Sequence, residues 1–444
     1  MKLGMNGFRV FLAIWAGQFV SLIGSGLTGF ALSVWIYQKT GSVTNLSLVM
    51  LSLILPGILM SPVAGILVDK WNRRTAMIVS DSGAAVSTVA IALLLYSQRL
   101  ELWHIFVALA ISSTFGAFQW PAYSAATTLL VPKKHLGRAA GMVQTAEAVA
   151  NIASPAIAGA LLVTINIWGV IFLDFATFLF ALTTLIFVRV PDAPPAPESE
   201  EKKSFMDQLT FGMKYIAARH GLLSLLIFFA VANFIGGFTN VLFTPLILSF
   251  TSPAILGTIL SLGGIGMLAG GIIMSAWGGP HKKVKGVIGF SVLSGIALAL
   301  VGVRADAIVI TAAIFAVFFF IPLTNGCSQA IWQVKTAPAV QGRVFSVRRM
   351  IAMSMMPLSI LTAGPLADNI FEPLMAVNGS LSTSIGELIG TGPGRGIGLM
   401  VVIAGILTIL VSILAYLYPR VRNLEDELPD MVEKDLAEKP IEPE

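Results

Sequence analysis

Long apolar stretches separated by short polar loops dominate the chain. A helix needs about 20 apolar residues to cross the hydrocarbon core of a bilayer, and twelve stretches approach or exceed that length. They cover residues 8–37, 44–68, 75–96, 102–130, 139–164, 167–189, 221–249, 254–277, 285–304, 306–334, 344–369 and 396–418. Because a lipid-exposed backbone must satisfy its hydrogen bonds within each helix, the pattern predicts an all-α membrane protein with twelve transmembrane helices.

Polar stretches divide this pattern into four regions. We predict an N-terminal six-helix bundle over 1–190, a cytoplasmic linker over 191–220, a C-terminal six-helix bundle over 221–419 and an acidic cytoplasmic tail over 420–444. In the linker, apolar residues recur at helical spacing at Phe205, Leu209, Met213 and Ile216. This spacing indicates an amphipathic helix on the inner membrane surface. The tail lacks apolar periodicity and is expected to be disordered.

Two loops of the first half recur in the second half. The loop over 65–74 has the same Gly-x5-Trp framework as the loop over 271–283, and both carry basic residues. A second pair runs over 132–138 and 338–343, each beginning with proline and ending in Gly-Arg. Matching loops at matching positions indicate an internal duplication, so the two bundles are predicted to be pseudo-symmetric.

Composition and charge placement agree with a membrane protein. Charged residues make up 11% of the chain and the mean hydropathy is +0.85, whereas soluble domains have about 25% charged residues. If both termini are cytoplasmic, the outer loops hold only Lys39, Arg99, Arg304 and Arg395 of the 28 Lys and Arg residues. The positive-inside rule then predicts a multi-pass protein of the cell membrane, or of the inner membrane in a Gram-negative bacterium. The net charge of +5 is assigned to topology and anionic lipid, not to nucleic acid.

Motifs of soluble catalysis are absent from the sequence. There is no Gly-x4-Gly-Lys-Ser/Thr phosphate loop and no His-Glu-x2-His zinc helix, and the four His residues are scattered over loops and segment ends. The glycine-rich sequence over 392–396 follows no predicted strand, so it does not predict a dinucleotide site. We therefore expect a carrier that is not an enzyme, with no cofactor, no metal and no catalytic residue.

The loop over 65–74 resembles the Gly-x3-Asp-Arg/Lys-x-Gly-Arg-Arg/Lys motif between helices two and three of the major facilitator superfamily. The matching residues are Gly65, Asp69, Lys70, Arg73 and Arg74, and Asn72 replaces the usual glycine. Within the superfamily the chain is similar to the macrolide-efflux and enterobactin-exporter branch of drug exporters. This similarity rests on the Gly-Arg loop at 132–138, on Asp174 and above all on the sequence over 341–346.

The resemblance implies a gate at the cytoplasmic side. Asp69 can pair with Arg348 or Arg349 at the start of the eleventh helix, and such a clasp would hold the two halves together. The gate candidates are Gly65, Asp69, Arg73, Arg74, Arg343, Arg348 and Arg349. The alternative is a purely topological anchor of positive charge. Because Ser275 stands where the second copy would carry an aspartate, the clasp is expected to be asymmetric.

Three acids are candidates for coupling transport to an ion: Asp81, Glu147 and Asp174. Glu147 shares one face of its predicted helix with Gln144 and Asn151, and this face should line a cavity because exposure to lipid would be costly. No basic residue lies in the middle of a predicted segment, so the proton or a positively charged substrate is the expected partner of Glu147. Asp81 is equally explained as a partner of the basic loop, and Asp174 as a water-exposed group.

Polar and aromatic residues in mid-segment positions outline an expected substrate cavity. They are Trp15, Gln18, Phe115, Gln119, Trp120, Gln144, Asn151, Asn233, Asn325 and Gln329. Aromatic walls with few charges suit a bulky, partly apolar solute, although each residue taken singly is also explained by helix packing. The sequence thus predicts a secondary-active exporter of amphiphilic small molecules, such as a macrolide-like drug or siderophore. A lipid or lysophospholipid flippase and a transport-inactive membrane scaffold remain as alternatives.

Overall fold

The computed structural model describes residues 7–131, 136–188, 205–336 and 340–430. The first half of the chain contains α1 (Gly7–Thr40), α2 (Val43–Lys70), α3 (Arg73–Tyr96), α4 (Leu102–Leu130), α5 (Leu136–Thr164) and α6 (Asn166–Phe187). The short helix α7 (Phe205–Ala217) follows. The second half begins with α8 (His220–Leu248), α9 (Pro253–Trp277), α10 (Lys283–Val303), α11 (Ala307–Lys335) and α12 (Gln341–Leu366). A π-helical segment (Ala367–Phe371) leads into α13 (Glu372–Leu374), α14 (Ile385–Ile389), α15 (Arg395–Leu417), α16 (Pro419–Arg422) and α17 (Leu424–Glu427).

Twelve of the described helices are long and apolar enough to span a membrane, namely α1–α6, α8–α12 and α15. Their ends lie within about three residues of the bounds predicted from the sequence. Capping residues fix several of these ends: Ser42 caps α2, Asn72 caps α3 and Asp306 caps α11, each by accepting a backbone N–H with its side chain. The predicted number and placement of transmembrane helices are therefore confirmed.

The chain divides into two compact units, Met1–Pro197 with Thr251–Ser261 and Glu198–Phe250 with Leu262–Glu444. We term them the N-terminal bundle and the C-terminal bundle. In the N-terminal bundle, α1 packs on α5 and α6, and α3 packs on α4 and α6. In the C-terminal bundle, α8 packs on α12 and α15, and α10 packs on α11 and α15. The helices α8, α10, α11, α12 and α15 are the seventh, ninth, tenth, eleventh and twelfth spans. They correspond to α1, α3, α4, α5 and α6 of the first half, so the same pairs of spans pack together in both halves. This repeat confirms two pseudo-symmetric bundles.

One end of the N-terminal bundle gathers the beginnings of α1, α3 and α5 with the ends of α2, α4 and α6 in a shared apolar cluster. Arg74 strengthens this end. Its Nε donates to the carbonyl oxygen of Leu185 and its Nη2 to that of Ile186, both at 2.6 Å. A cation at the C-terminus of a helix satisfies carbonyls that lack a partner in the helix, and it complements the helix dipole. Arg74 therefore ties α3 to α6.

The linker helix α7 is present where the sequence predicted it. It packs on α12 and α8 of its own bundle. Ile216 is buried in the apolar cluster of that bundle, whereas Phe211 and Met213 are exposed. The helix therefore has one packed side and one apolar side that is open.

Residues 419–430, which we term the C-terminal cap, are folded, in contrast to the predicted disordered tail. Val421 and Leu424 are buried in the apolar cluster formed by α8, α10, α11 and α12. The sequence interpretation missed the C-terminal cap because a segment of two short helices, anchored by two apolar side chains, has no periodicity to detect.

Polar contacts fix the C-terminal cap at two further points. The carboxylate of Glu425 accepts the backbone N–H groups of Lys283 and Val284, which begin α10. The ammonium of Lys335, at the end of α11, donates to the carbonyl oxygens of Glu425 and Leu428. Lys335 also pairs with Asp430 at 2.6 Å. The C-terminal cap thus joins the ends of α10 and α11.

Candidate functional site

A cavity of about 350 Å³ lies within the N-terminal bundle. We term it the aromatic cavity. Its walls come from α1, α3, α4 and α5, and include Trp15, Gln18, Phe19, Ser21, Ser25, Asp81, Ser112, Gln119, Trp120, Tyr123 and Glu147. Six of the predicted substrate or coupling residues, from four different helices, are thus neighbours in space: Trp15, Gln18, Asp81, Gln119, Trp120 and Glu147.

Two glutamine side chains connect α4 and α1 to the carboxylate of Asp81 on α3. Nε2 of Gln119 donates to Oε1 of Gln18 at 2.6 Å, and Nε2 of Gln18 donates to Oδ2 of Asp81 at 2.9 Å. Such a chain of oriented amide dipoles partly compensates a carboxylate that is removed from bulk water. Asp81 is therefore a fixed polar group of the cavity wall.

Glu147 projects from α5 into the same cavity and is half-buried. In the part of the chain that the structure describes, no donor reaches its carboxylate and no base pairs with it. Tyr123 lies across the cavity wall, and its buried hydroxyl has no hydrogen-bond partner among the described groups. An ionised carboxylate without a partner at membrane depth is costly, so Glu147 is available to a proton or to a cationic ligand.

The two tryptophans of the cavity are held differently. Nε1 of Trp15 donates to the carbonyl oxygen of Met142 on α5 at 3.0 Å, and its ring stacks on Phe19 with centroids 5.6 Å apart. Trp120 is 53% exposed and precedes Pro121 inside α4. Trp15 is thus a fixed wall, whereas Trp120 presents a large apolar face that a ligand can cover.

A second cavity of about 150 Å³ adjoins the first. We term it the hydroxyl cavity, because Ser21, Ser25, Thr28, Ser87, Thr88 and Ser112 line it together with Asp81 and Asp174. The two cavities share five wall residues, namely Ser21, Ser25, Asp81, Ala84 and Ser112. A polar route therefore joins the walls of the aromatic cavity to Asp174, which the structure buries rather than exposes to water.

Other predicted cavity residues of the N-terminal bundle have different positions. The ring of Phe115 fills the space beside Gly83, where a Cβ on Gly83 would lie 2.2 Å from the ring. Helix packing between α3 and α4 therefore accounts for Phe115. Asn151 is exposed and lines neither cavity, and the side chain of Gln144 lies outside the described part of the structure.

In the C-terminal bundle, Arg348 is the centre of a polar cluster that the sequence did not predict. Its guanidinium donates to Oε1 of Gln329 at 2.8 Å and to Oγ of Ser328 at 3.2 Å, and it lies 5.1 Å from the centre of the Trp332 ring. Arg348 lies two turns from the beginning of α12 and near the start of the membrane span Val347–Leu374, not in its middle. Asn233 and Asn325 are exposed on α8 and α11.

The structure describes the side chains of only some of the remaining gate candidates. Gly65 and Asp69 belong to the last turns of α2, and Arg343 belongs to the first turn of α12, but the side chains of Asp69 and Arg343 lie outside the described part. Arg73 contacts the carbonyl oxygen of Trp71, and Arg349 is exposed. The clasp between Asp69 and an arginine of α12 stays a prediction.

Comparison with known proteins agrees with this architecture. Residues 14–360 match the Major Facilitator Superfamily. The chain belongs to this superfamily. Macrolide efflux protein A of Streptococcus pyogenes is 30% identical over 367 residues, which cover 81% of this chain and 90% of that protein. The multidrug efflux pump Tap of Mycolicibacterium fortuitum is 26% identical and covers 81% of this chain and 88% of its own length. The enterobactin exporter EntS of Shigella flexneri is 26% identical over 47% of this chain and 50% of its own length.

Solved structures of the superfamily show the same fold at low sequence identity. A bacterial homologue of the human lysosomal transporter Spinster has a TM-score of 0.71 and 14% identity, covering 96% of this chain and 99% of its own. A POT family transporter has a TM-score of 0.68 and 12% identity, covering 93% and 96%. The family match thus makes the protein a major facilitator transporter and not an enzyme, and the solved structures agree with its fold.

The helix α5 of this transporter contains a proline, Pro155, in its interior. The hydroxyl of Ser261 accepts the backbone N–H of Ala156 and donates to the carbonyl oxygen of Ile152, so it is inserted into the hydrogen-bond ladder of α5. Gly257 permits this approach, because a Cβ there would lie 2.1 Å from the carbonyl oxygen of Pro155. The first turns of α9, which belong to the N-terminal bundle, are thus locked to α5.

Proposed function

We propose that this protein is a proton-coupled exporter of amphiphilic small molecules, such as macrolide-like drugs or siderophores. It resides in the cell membrane with both termini cytoplasmic and works by alternating access. The observation that carries the proposal is the carboxylate of Glu147, which lies in a cavity with tryptophan walls and has no partner among the described residues.

The chemistry of the aromatic cavity supports an amphiphilic solute. Trp15, Phe19 and Trp120 offer apolar faces, and burial against such faces is weakly directional and tolerant of shape. Gln18, Gln119 and Asp81 form a connected polar edge on the other side. A solute with one apolar face and one polar or cationic group matches both surfaces.

Coupling follows from competition for Glu147. A proton or a cationic group of the substrate can neutralise this carboxylate, but not both at once. Protonation from outside would expel a cationic substrate, and release of the proton to the cytoplasm would reset the site. The relatives named as macrolide, multidrug and enterobactin exporters support the direction and the class of substrate.

Membrane orientation rests on the charge of the loops. The cytoplasmic side would hold 24 of the 28 Lys and Arg residues, as the positive-inside rule requires. Fusions of a cytoplasmic reporter and a periplasmic reporter to the C-terminus test this orientation: activity of the periplasmic reporter would contradict it.

The function is tested with inverted membrane vesicles and a chemically varied panel of compounds. The panel contains a macrolide, a catecholate siderophore, a hydrophilic sugar and a fluorescent lysophospholipid. We expect uptake of the amphiphilic compounds into the vesicles, lost when an uncoupler dissipates the proton gradient, and no uptake of the sugar. Movement of the lysophospholipid alone would favour a flippase. If no compound moves, the result would favour a transport-inactive membrane scaffold.

A further inference from the structure

Asp174 is surrounded by hydroxyl groups that stay at an unusual distance from it. Its side chain is only 6% exposed. Oγ of Ser25 lies 3.5 Å from Oδ1, and Oγ1 of Thr88 lies 3.5 Å from Oδ2. A hydroxyl that donates to a carboxylate normally comes within about 2.5–2.7 Å. At this distance the two hydroxyls compensate the charge of Asp174 only weakly.

Thr28 is a second, independent sign of an unfilled site. It lines the hydroxyl cavity and is 8% exposed. Its Oγ1 is buried and close enough to interact with the carboxylate of Asp174, but it meets the geometric criteria of a hydrogen bond with no group that the structure describes. A buried hydroxyl without a good hydrogen bond costs free energy. A cation coordinated by the hydroxyl oxygen would compensate this cost.

The spacing of these oxygens fits a cation between them. Ca²⁺ binds oxygens at about 2.3–2.6 Å and the smaller Mg²⁺ at about 2.0–2.1 Å. Na⁺ has nearly the same ionic radius as Ca²⁺, so the longer range applies to it. Two oxygens at right angles around a cation at about 2.4 Å are separated by about 3.4 Å, close to the observed 3.5 Å. The two carboxylate oxygens and three hydroxyls supply up to five ligands, and the cavity of about 150 Å³ leaves room for water.

The charge of the surroundings selects a monovalent ion. Asp174 supplies one negative charge, and the other carboxylate of this cavity, Asp81, already accepts a hydrogen bond from Gln18. A divalent ion held by Asp174 would therefore keep a positive charge that its own ligands do not compensate in a low dielectric. Among the described residues that line the two cavities, the titratable groups are Asp81, Tyr123, Glu147 and Asp174, and none is basic. No cation of the described walls can therefore neutralise Asp174. Carboxylate and hydroxyl oxygens favour a hard cation.

The helices that hold these oxygens are fixed around the site. Gly24 on α1 allows the carboxylate to approach, because a Cβ there would lie 3.1 Å from Oδ1 of Asp174. The hydroxyl of Thr177 bonds to the backbone carbonyl oxygen of Asp174 at 2.7 Å and is thus not available to the carboxylate. The ligands come from α1, α3 and α6, so an ion there would link three helices.

We propose that Asp174, Ser25, Thr28 and Thr88 form a binding site for a sodium ion. The site lies beside the aromatic cavity and connects to it along the shared wall of Ser21, Ser25 and Asp81. The proposal does not depend on the direction or the substrate of transport, because ion binding is measured on purified protein without a transported compound.

The test is radioactive ²²Na⁺ binding to the purified full-length transporter in lipid nanodiscs at about pH 8, where proton competition for a carboxylate is small. We expect saturable binding of one ion per protein, competition by excess unlabelled Na⁺ and no competition by K⁺ or choline at equal ionic strength. Thermal unfolding should show the same selectivity, because an ion that binds only the folded state raises the melting temperature.

Two pairs of variants decide the location. Asp174→Asn should abolish saturable binding, whereas Asp81→Asn, on the shared wall, should retain it. Thr28→Val should weaken binding about tenfold or more, as loss of one oxygen ligand to a charge predicts, whereas Thr114→Val, whose hydroxyl bonds within its own helix, should bind as the unaltered protein does.

Three outcomes would overturn the proposal. The first is no saturable ²²Na⁺ binding by the folded, unaltered protein, and the second is binding that survives Asp174→Asn. The third is stabilisation by acid that is independent of Na⁺, which would assign Asp174 to a proton. If Asp174→Asn does not fold, the ion selectivity of the unaltered protein shows whether sodium binds, and the two threonine variants show whether it binds at this site.

Discussion

Asp81 and Glu147 lie on the walls of one cavity but differ in the hydrogen bonds that their carboxylates accept. Gln18 donates to Asp81, and Gln119 supports Gln18, whereas no described group donates to Glu147. We therefore expect Glu147→Gln, a near-isosteric mimic of the protonated form, to abolish accumulation driven by the proton gradient. Downhill exchange of substrate should persist. The measurement is efflux and exchange of a labelled macrolide in proteoliposomes, with and without a pH gradient.

Asp81→Asn is the control for this prediction. An asparagine keeps an oxygen that can accept from Gln18, so the amide network and the shape of the cavity are retained. This variant should still accumulate substrate. If Glu147→Gln accumulates substrate against a gradient, Glu147 is not the coupling residue, and Asp81, Asp174 or an ion other than the proton takes its place.

The exposed ring of Trp120 makes a second prediction at the residue scale. Trp120→Ala removes an apolar wall without exposing a charge, so we expect an altered profile of exported compounds with unchanged expression. Trp103→Ala is a matched control, because Trp103 lies on the same helix, is 56% exposed and lines neither cavity. A uniform loss of thermal stability with an unchanged profile would assign Trp120 to helix packing.

For some polar or charged residues in apolar segments, the position in the structure is the one that the sequence predicted, whereas Asn151, Asn233 and Asn325 are exposed and line neither cavity. Gln18, Gln119 and Glu147 could be identified because each must face a cavity or another helix. Thr28 and Thr88 could not, since threonines in membrane helices commonly bond to a carbonyl of their own helix. Phe115 could not be separated from cavity residues, because its packing depends on the absence of a side chain at Gly83.

At the scale of elements, the length of the apolar segments predicted the helices, but not the contacts between their ends. The C-terminal cap shows the difference, since its fixation depends on partners that are distant in sequence, such as Lys335 and the first amides of α10. Local charge and periodicity contain no information on such partners.

The C-terminal cap leads to a prediction on stability. Glu425 accepts two amides at the N-terminus of α10, where a carboxylate also complements the helix dipole. Glu425→Ala should lower the stability of the C-terminal bundle by about 1–2 kcal/mol, as loss of a charged N-cap does. Hydrogen–deuterium exchange should rise at the first amides of α10, and truncation after Tyr418 should have a larger effect than Glu425→Ala.

Asp426→Asn and truncation after Asp430 are the controls. The pair of Lys282 and Asp426 is exposed, with 2.8 Å between Nζ and Oδ2. The hydrogen bond from Lys282 lowers the pKa of Asp426, and the same bond raises the pKa of Lys282. The pair loses its contribution only as the pH falls through the lowered pKa of Asp426 or rises through the raised pKa of Lys282. Both controls should therefore behave as the unaltered protein at neutral pH, and a large effect of Asp426→Asn would show that the exposed pair, not Glu425, holds the C-terminal cap.

At the scale of the whole molecule, the matching loops at 65–74 and 271–283 and at 132–138 and 338–343 predicted the internal duplication. The repeated order of helix pairs in the two bundles follows from it. The duplication also shows where the copies have diverged. In the first copy, the last turn of α2 carries Asp69. In the second copy the equivalent Ser275 is exposed and donates to the carbonyl oxygen of Gly271 in its own helix.

This divergence gives a prediction for the transport cycle. If Asp69 is the acceptor of a clasp with an arginine of α12, Asp69→Asn should shift the population toward states open to the cytoplasm. The shift should not exceed a few kcal/mol, since alternating access requires states that differ by little. Ser275→Ala is the matched control from the second copy and should change nothing, because its hydroxyl is already satisfied within its helix. Cysteines introduced on the cytoplasmic and outer sides, labelled with an impermeant maleimide, measure the populations. Equal labelling of the Asp69→Asn variant and the unaltered protein on both sides would reduce this loop to an anchor of positive charge.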